Sequence, residues 1–197
     1  MKTKSKIIII IASLILVLTF FFPLWYIDLE APQYPEGIGL EIWINKITGQ
    51  KPNDLENING LNHYIGMKTI VPDAIPELKL IPFIIIFLIV FGLVSAFTGK
   101  RLLVYLWIVL FIALAAVGLY DFYMWEYDYG HNLNPHAAIK IPGMAYQPPL
   151  IGSKMLLNFN AISMPDISFY ILVFAILLAI ITLVLDRKSN KEKTVNA

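Results

Sequence analysis

The sequence predicts an α-helical integral membrane protein with four transmembrane helices and two long loops. Three observations carry this. Of 197 residues, 58% are apolar and only 15% charged, whereas a soluble domain carries roughly 45–50% and about 25%. The apolar excess is gathered into four blocks, 7–27, 80–97, 102–120 and 168–185, each long enough to cross about 30 Å of hydrocarbon at about 1.5 Å per residue. Basic residues sort by side. Lys2, Lys4, Lys6, Lys100, Arg101, Arg187, Lys188, Lys191 and Lys193 lie in the tails and the short turn, opposed only by Asp186 and Glu192. The two long loops, 28–79 and 121–167, hold six Lys against twelve carboxylates. The positive-inside rule then puts both termini in the cytoplasm and both loops outside.

The first block follows a basic stretch and ends in Phe20, Phe21, Phe22, Pro23, Leu24, Trp25 and Tyr26. That bulky aromatic end lacks a small-residue cleavage site and reads as an uncleaved helix with an interfacial belt. The tail after Asp186 reads as a solvated, frayed end that can touch anionic lipid.

The first loop opens with turn chemistry over Ala31-Pro32-Gln33-Tyr34-Pro35-Glu36-Gly37. Leu40 to Ile47 alternates closely enough for one strand, ended by Thr48-Gly49. Asn57 to Met67 suits a short helix with Ile58, Leu61 and Ile65 facing a core, and with His63 and Met67 on one face.

Blocks two and three are joined by Thr98-Gly99-Lys100-Arg101, short enough to force an antiparallel pair. The third helix is expected to run past Tyr120 to about Tyr129, aligning Asp121, Met124, Trp125 and Asp128 on one stripe. Ser163-Met164-Pro165-Asp166 reads as a capping-box variant starting the last helix, with Ser163 as the cap. The pairs Gly92/Ala96, Ser95/Gly99 and Ala175/Ala179 have the small-xxx-small spacing of close helix packing. The two loops are expected to pack together as an extracytoplasmic cap on a single membrane domain, 1–197.

No Asp, Glu, Lys, Arg or His falls inside the blocks, and no proline sits centrally. Ion-coupled transport normally needs buried ionisable groups or helix breaks near the midplane, so a transporter, channel or proton relay is not expected. The same blocks lack helical histidines for a b-type haem. With no cysteine in the chain, c-type haem, disulfides and thiolate metal sites are excluded. No nucleophile elbow, phosphate loop or complete dinucleotide fingerprint is present, and Glu126 and Asp128 would diverge on a helix. Enzymatic activity is not expected.

All three histidines and every methionine beyond the first lie in the two long loops. Imidazole with thioether suits copper, the thioether as a soft donor to Cu(I). The candidate metal ligands are therefore His63, Met67, His131, His136 and Met144. Met is equally a plastic packing residue, so copper is a candidate cofactor and no cofactor is required by the pattern. Trp43, Tyr64, Trp125 and Asp128 are the positions expected to meet a partner. Membrane lipid is expected to contact the helices, and no nucleic acid is expected.

Tyr34-Pro35-Glu36-Gly37, Leu61-Asn62-His63-Tyr64-Ile65-Gly66-Met67, Pro148-Pro149-Leu150-Ile151-Gly152 and Lys154 to Phe159, set between four spans, resemble small membrane proteins. Those proteins are encoded in bacterial nitrous-oxide reductase gene clusters, beside copper-chaperone and ABC-transporter maturation genes. The resemblance covers most of the chain, and its phrases are not a catalytic signature. It implies the bacterial cytoplasmic membrane and an accessory role for an extracytoplasmic copper enzyme, in assembly, copper loading or electron supply. Only the phrase holding His63 and Met67 lines up with copper chemistry. A metal-free docking scaffold, and an electron-transfer subunit meeting quinol near Trp25, Tyr26 and Trp125, are the alternatives.

Overall fold

The computed structural model describes residues 1–195, with side chains described as far as Asp186. The basic side chains Arg187, Lys188, Lys191 and Lys193, and with them the expected lipid-touching tail, lie outside the described side chains. Four helices are long and apolar enough to cross a membrane. They are α1 (Thr3–Leu14, tightening into a 3₁₀ helix over Ile15–Phe20), α3 (Glu77–Thr98), α4 (Arg101–His131) and α5 (Ile167–Val195). Between α1 and α3 stand β1 (Trp25–Ala31), β2 (Tyr34–Ile42), β3 (Ile47–Gly49) and α2 (Asp54–Ile65); between α4 and α5 stand β4 (Gly152–Leu156) and β5 (Phe159–Pro165).

α1 packs mainly against α3 and α5. Ile9, Ala12, Leu16, Leu88, Val104, Trp107, Phe111, Ala175 and Ala179 build the bundle core. Its polar side chains satisfy themselves on their own helices. Ser13 donates to Ile9 O, Thr19 to Leu16 O, Ser95 to Phe91 O and Thr182 to Leu178 O, so none of these four hydroxyls is left bare in an apolar setting. Trp107 donates its indole N–H to Leu88 O at 2.7 Å. The outer surface presents Phe83, Phe97, Leu102 and Val109, a composition suited to lipid.

The first helix is shorter at its far end than the apolar block 7–27 predicts. It stops at Phe20, and Trp25, Tyr26 and Ile27 begin β1. Pro23 has no N–H to continue a helix, and Trp-Tyr-Ile is as good a strand as a helix end by hydropathy alone.

The single strand expected over 40–47 is also corrected. The chain turns at Trp43–Lys46, whose ends are joined by Trp43 N–H to Lys46 O, and the strand becomes the β2–β3 hairpin. That hairpin belongs to a five-stranded antiparallel sheet of order β3-β2-β1-β5-β4. Strands from both long loops therefore share one sheet, with β1 at its centre pairing Ile27 to Leu40 on one side and to Ser163 on the other. Ile44, 1% exposed in the β2–β3 turn, plugs into the bundle core. A second core beneath the sheet holds Trp25, Ile27, Ile38, Leu40, Ile58 and Ile70, with Phe122, Trp125 and Phe169 packed on it.

Ser163 is not the helix cap. It sits inside β5, and α5 begins at Ile167 behind Asp166, whose carboxylate accepts the Ile167 N–H at 2.6 Å. Ser168 closes the joint from the other side, donating N–H to Pro23 O and O–H to Phe22 O. Exit from the first helix and entry to the last are thus one stitched junction.

Candidate functional site

α2 starts three residues earlier than the sequence predicts and ends at Ile65, because Gly66 takes the left-handed conformation (φ +84°) that a glycine C-cap supplies without strain. The same glycine lets the second long loop come close. A β-carbon there would lie 2.9 Å from Ala137 Cβ and 3.0 Å from Asn134 O. Asn134 N–H donates to Gly66 O at 2.7 Å, and Ile139 N–H to Tyr64 O at 2.9 Å. The end of α2 is therefore the seam where the two loops meet.

At that seam lies an open cleft of about 310 Å³, lined by His63, Gly66, Met67, Lys68, Asn132 and Asn134 among others. Met67 is past the helix end rather than on it, yet it still reaches the cleft that His63 lines. His63 is exposed and meets the Tyr64 ring edge-on at 5.9 Å. One wall is braced by Asp128, which binds Lys68 and accepts from Asn132. The hydrogen bonds from Lys68 and Asn132 hold its carboxyl below the usual range, since donors to the charged form favour ionisation.

The other candidate ligands are placed differently. His131 is the last residue of α4, stacking on Tyr127 at 3.9 Å, with its Nδ1 on Tyr127 O at 3.0 Å. The His136 amide donates to Asn134 Oδ1, and Met144 is half-buried with its amide on Ile141 O. Among the described residues, no hydrogen bond or ring contact joins these three to His63 or Met67. Among the described residues, no three His, Asp or Glu side chains are grouped to hold one metal ion.

Of the expected partner-facing residues, Tyr64 is 56% exposed. Trp43 is held within its own hairpin by Thr48 Oγ1 and by the Lys46 ammonium over its ring. Trp125 stacks between Phe122 and Tyr129.

One residue of consequence is not found by sequence reasoning. Glu126, on the part of α4 beyond the apolar stretch, is 1% exposed, and neither carboxylate oxygen has a hydrogen-bond partner. Burial alone pushes its carboxyl up to about 8. The sequence signal was faint: a glutamate four residues after Phe122 and four before Gly130, on the packed side of the helix.

Fold and cleft together define a class: a four-helix, membrane-compatible bundle carrying a sheet built from two loops, with a seam cleft beside it. No family model, curated protein or solved structure matches this chain.

Proposed function

We propose that the chain is a multi-pass protein of the bacterial cytoplasmic membrane with both termini inside. Its two long loops act outside as an accessory to a copper enzyme of the nitrous-oxide reductase type. The partner is that enzyme, or the chaperone or ABC-transporter proteins that mature it. The orientation rests on the basic tails and turn set against acidic loops. The partner class rests on the resemblance of the loop phrases.

The observation that carries the copper role is that His63 and Met67 line one open cleft at the seam of the two loops. One imidazole and one thioether make an incomplete shell. Such a pair suits a passing Cu(I) ion whose other ligands come from the delivering or receiving protein, not a closed structural site.

The test is His63→Ala with Met67→Ala in cells that also make the copper enzyme. The variant is expected in the membrane at normal level, with lower Cu(I) binding by chelator competition and less copper in the partner. Unchanged partner copper overturns direct metal handling.

A second reading, a metal-free docking scaffold, is favoured by the β4 edge of the sheet, where Met155 in the strand and Ile151 just before it are 61% and 58% exposed. Full capture of the maturation proteins by wild-type protein that binds no Cu(I) supports it. Loss of that capture on Met155→Lys would place the contact at β4.

A further inference from the structure

Among the described residues Asp54, Glu126 and Asp186 are the buried carboxylates; Asp54 and Asp186 are hydrogen-bonded, whereas Glu126 has no partner at either oxygen and the copper reading leaves it unused. Its neighbours one turn away on the same helix stripe show what packs to either side of it. Phe122, one turn before it, meets Trp25 edge-on at 5.5 Å. Gly130, one turn after it, lies under the main chain of the second loop: Tyr146 N–H donates to Gly130 O at 2.9 Å, and a β-carbon at Gly130 would fall 2.4 Å from the Gln147 amide nitrogen. Tyr123, Met124 and Tyr127, on the other side of the helix, are exposed. Tyr146 and Gln147 thus lie over Gly130, one turn after Glu126, and Leu150 is tied through Ser163 to Trp25, which meets Phe122 one turn before it, so residues 146–150 bracket Glu126 from both sides. Residues 144–150 contain no helix or strand. Among the described residues their hydrogen bonds are few: Met144 N–H to Ile141 O, Tyr146 N–H to Gly130 O, Lys154 Nζ to Gln147 O, and Ser163 Oγ to Leu150 O.

We propose that residues 144–150 form a strap that closes over Glu126 only while that side chain is a neutral carboxylic acid, and that losing its proton opens the strap. An ionised carboxylate without hydrogen bonds in a dry site is far costlier than the neutral acid. Opening the strap lets water reach it. The surrounding charges offer no substitute. Asp128 is engaged by Lys68 and Asn132, the Tyr129 hydroxyl by Thr69 O, and Lys154 by Gln147 O. Around β1 and the start of α5, Asp28, Asp166 and Tyr170 act on Tyr26. Tyr146, 3% exposed, is the only titratable group on the strap itself.

The test is amide hydrogen exchange on the full chain in lipid nanodiscs, read as the ratio of wild type to Glu126→Gln at each pH, which cancels the intrinsic pH dependence. For residues 145–150 the ratio is expected to climb on the order of a hundredfold between pH 6 and pH 9, while α1 and α3 stay unchanged. A ratio flat across that range overturns the proposal, as does an equal rise in both proteins. Should Glu126→Gln not fold, Glu126→Met supplies the reference. The infrared band of a protonated carboxyl, seen in wild type at pH 6 and absent from either variant, reports the same proton directly. Absence of that band in wild type also overturns the proposal.

Discussion

Trp25 and Ser163 are 138 residues apart in sequence, yet the Trp25 indole N–H donates to the Ser163 hydroxyl at 2.8 Å, and that hydroxyl donates onward to Leu150 O at 3.1 Å. The pair joins the central strand from the first loop to the neighbouring strand from the second. Ser163 is fully buried and Trp25 nearly so. Ser163→Ala leaves an indole N–H and a carbonyl unmatched, with an expected cost of about 1–3 kcal/mol. Chemical unfolding followed by near-ultraviolet circular dichroism should show it. An unchanged midpoint would mean that the sheet does not depend on this bond.

A second prediction concerns the contact of α1 with α3. A β-carbon at Gly92 would lie 2.1 Å from Ser13 Oγ and 3.1 Å from Trp107 Nε1. Gly92→Ala should therefore overpack the bundle and destabilise it by roughly 1–3 kcal/mol. Ser13 spends its hydroxyl on its own helix, at Ile9 O, so Ser13→Ala alone should cost little. Combined with Gly92→Ala it should recover much of the loss. A double-mutant cycle on thermal unfolding in detergent measures the coupling, and additivity would sink the claim.

At the opposite end of the bundle Asp186, 1% exposed, gathers three elements. It accepts from Ser5 Oγ at 2.6 Å, from Arg101 Nε at 3.2 Å and from Lys2 N at 3.3 Å, while Arg101 Nη2 also reaches the Asp186 carbonyl. Asp186→Ala strands the guanidinium and the serine hydroxyl. Because Arg101 is about a third exposed, water softens the loss, and about 2 kcal/mol is expected. Arg101→Lys, which cannot make both bonds in one plane, should lose part of the same amount in the same unfolding assay.

The pH dependence of stability follows from Glu126. Its carboxyl is raised from 4.5 to about 8 in the folded protein. The folded state thus binds the proton more tightly than the unfolded one. The stability this contributes is complete below about pH 4.5 and is lost as pH rises through 8, at up to about 1.4 kcal/mol per pH unit. Glu126→Gln should flatten that slope. Denaturation midpoints of both proteins at pH 5 and pH 8 check it, and parallel slopes would assign the effect elsewhere.

The four long apolar helices, the short turn between α3 and α4, and the run of α4 past Tyr120 to His131 were all legible in the sequence. Hydropathy is a property of composition, and a stretch of some twenty apolar residues has few other fates. The strands were less legible. β1 was hidden at the end of an apolar block, and the β4–β5 hairpin turns on Leu157 at φ +58°, a conformation its residue type does not announce. At the candidate site, the spacing of His63 and Met67 suggested a common face. Their shared cleft, however, depends on Gly66 ending α2 and on Asn134 crossing it, which no local spacing encodes.

By itself, then, the sequence determined the helices, the division of charge between tails and loops, and the absence of thiol chemistry. These follow from local composition, which each residue carries wherever the chain goes. Only the tertiary structure decided that both loops share one sheet, that Trp25 meets Ser163, and that Glu126 is buried without a partner. The physical reason is that pairing and burial belong to two segments at once. A glutamate is polar in every sequence, and it becomes an orphaned acid only when another part of the chain is laid over it.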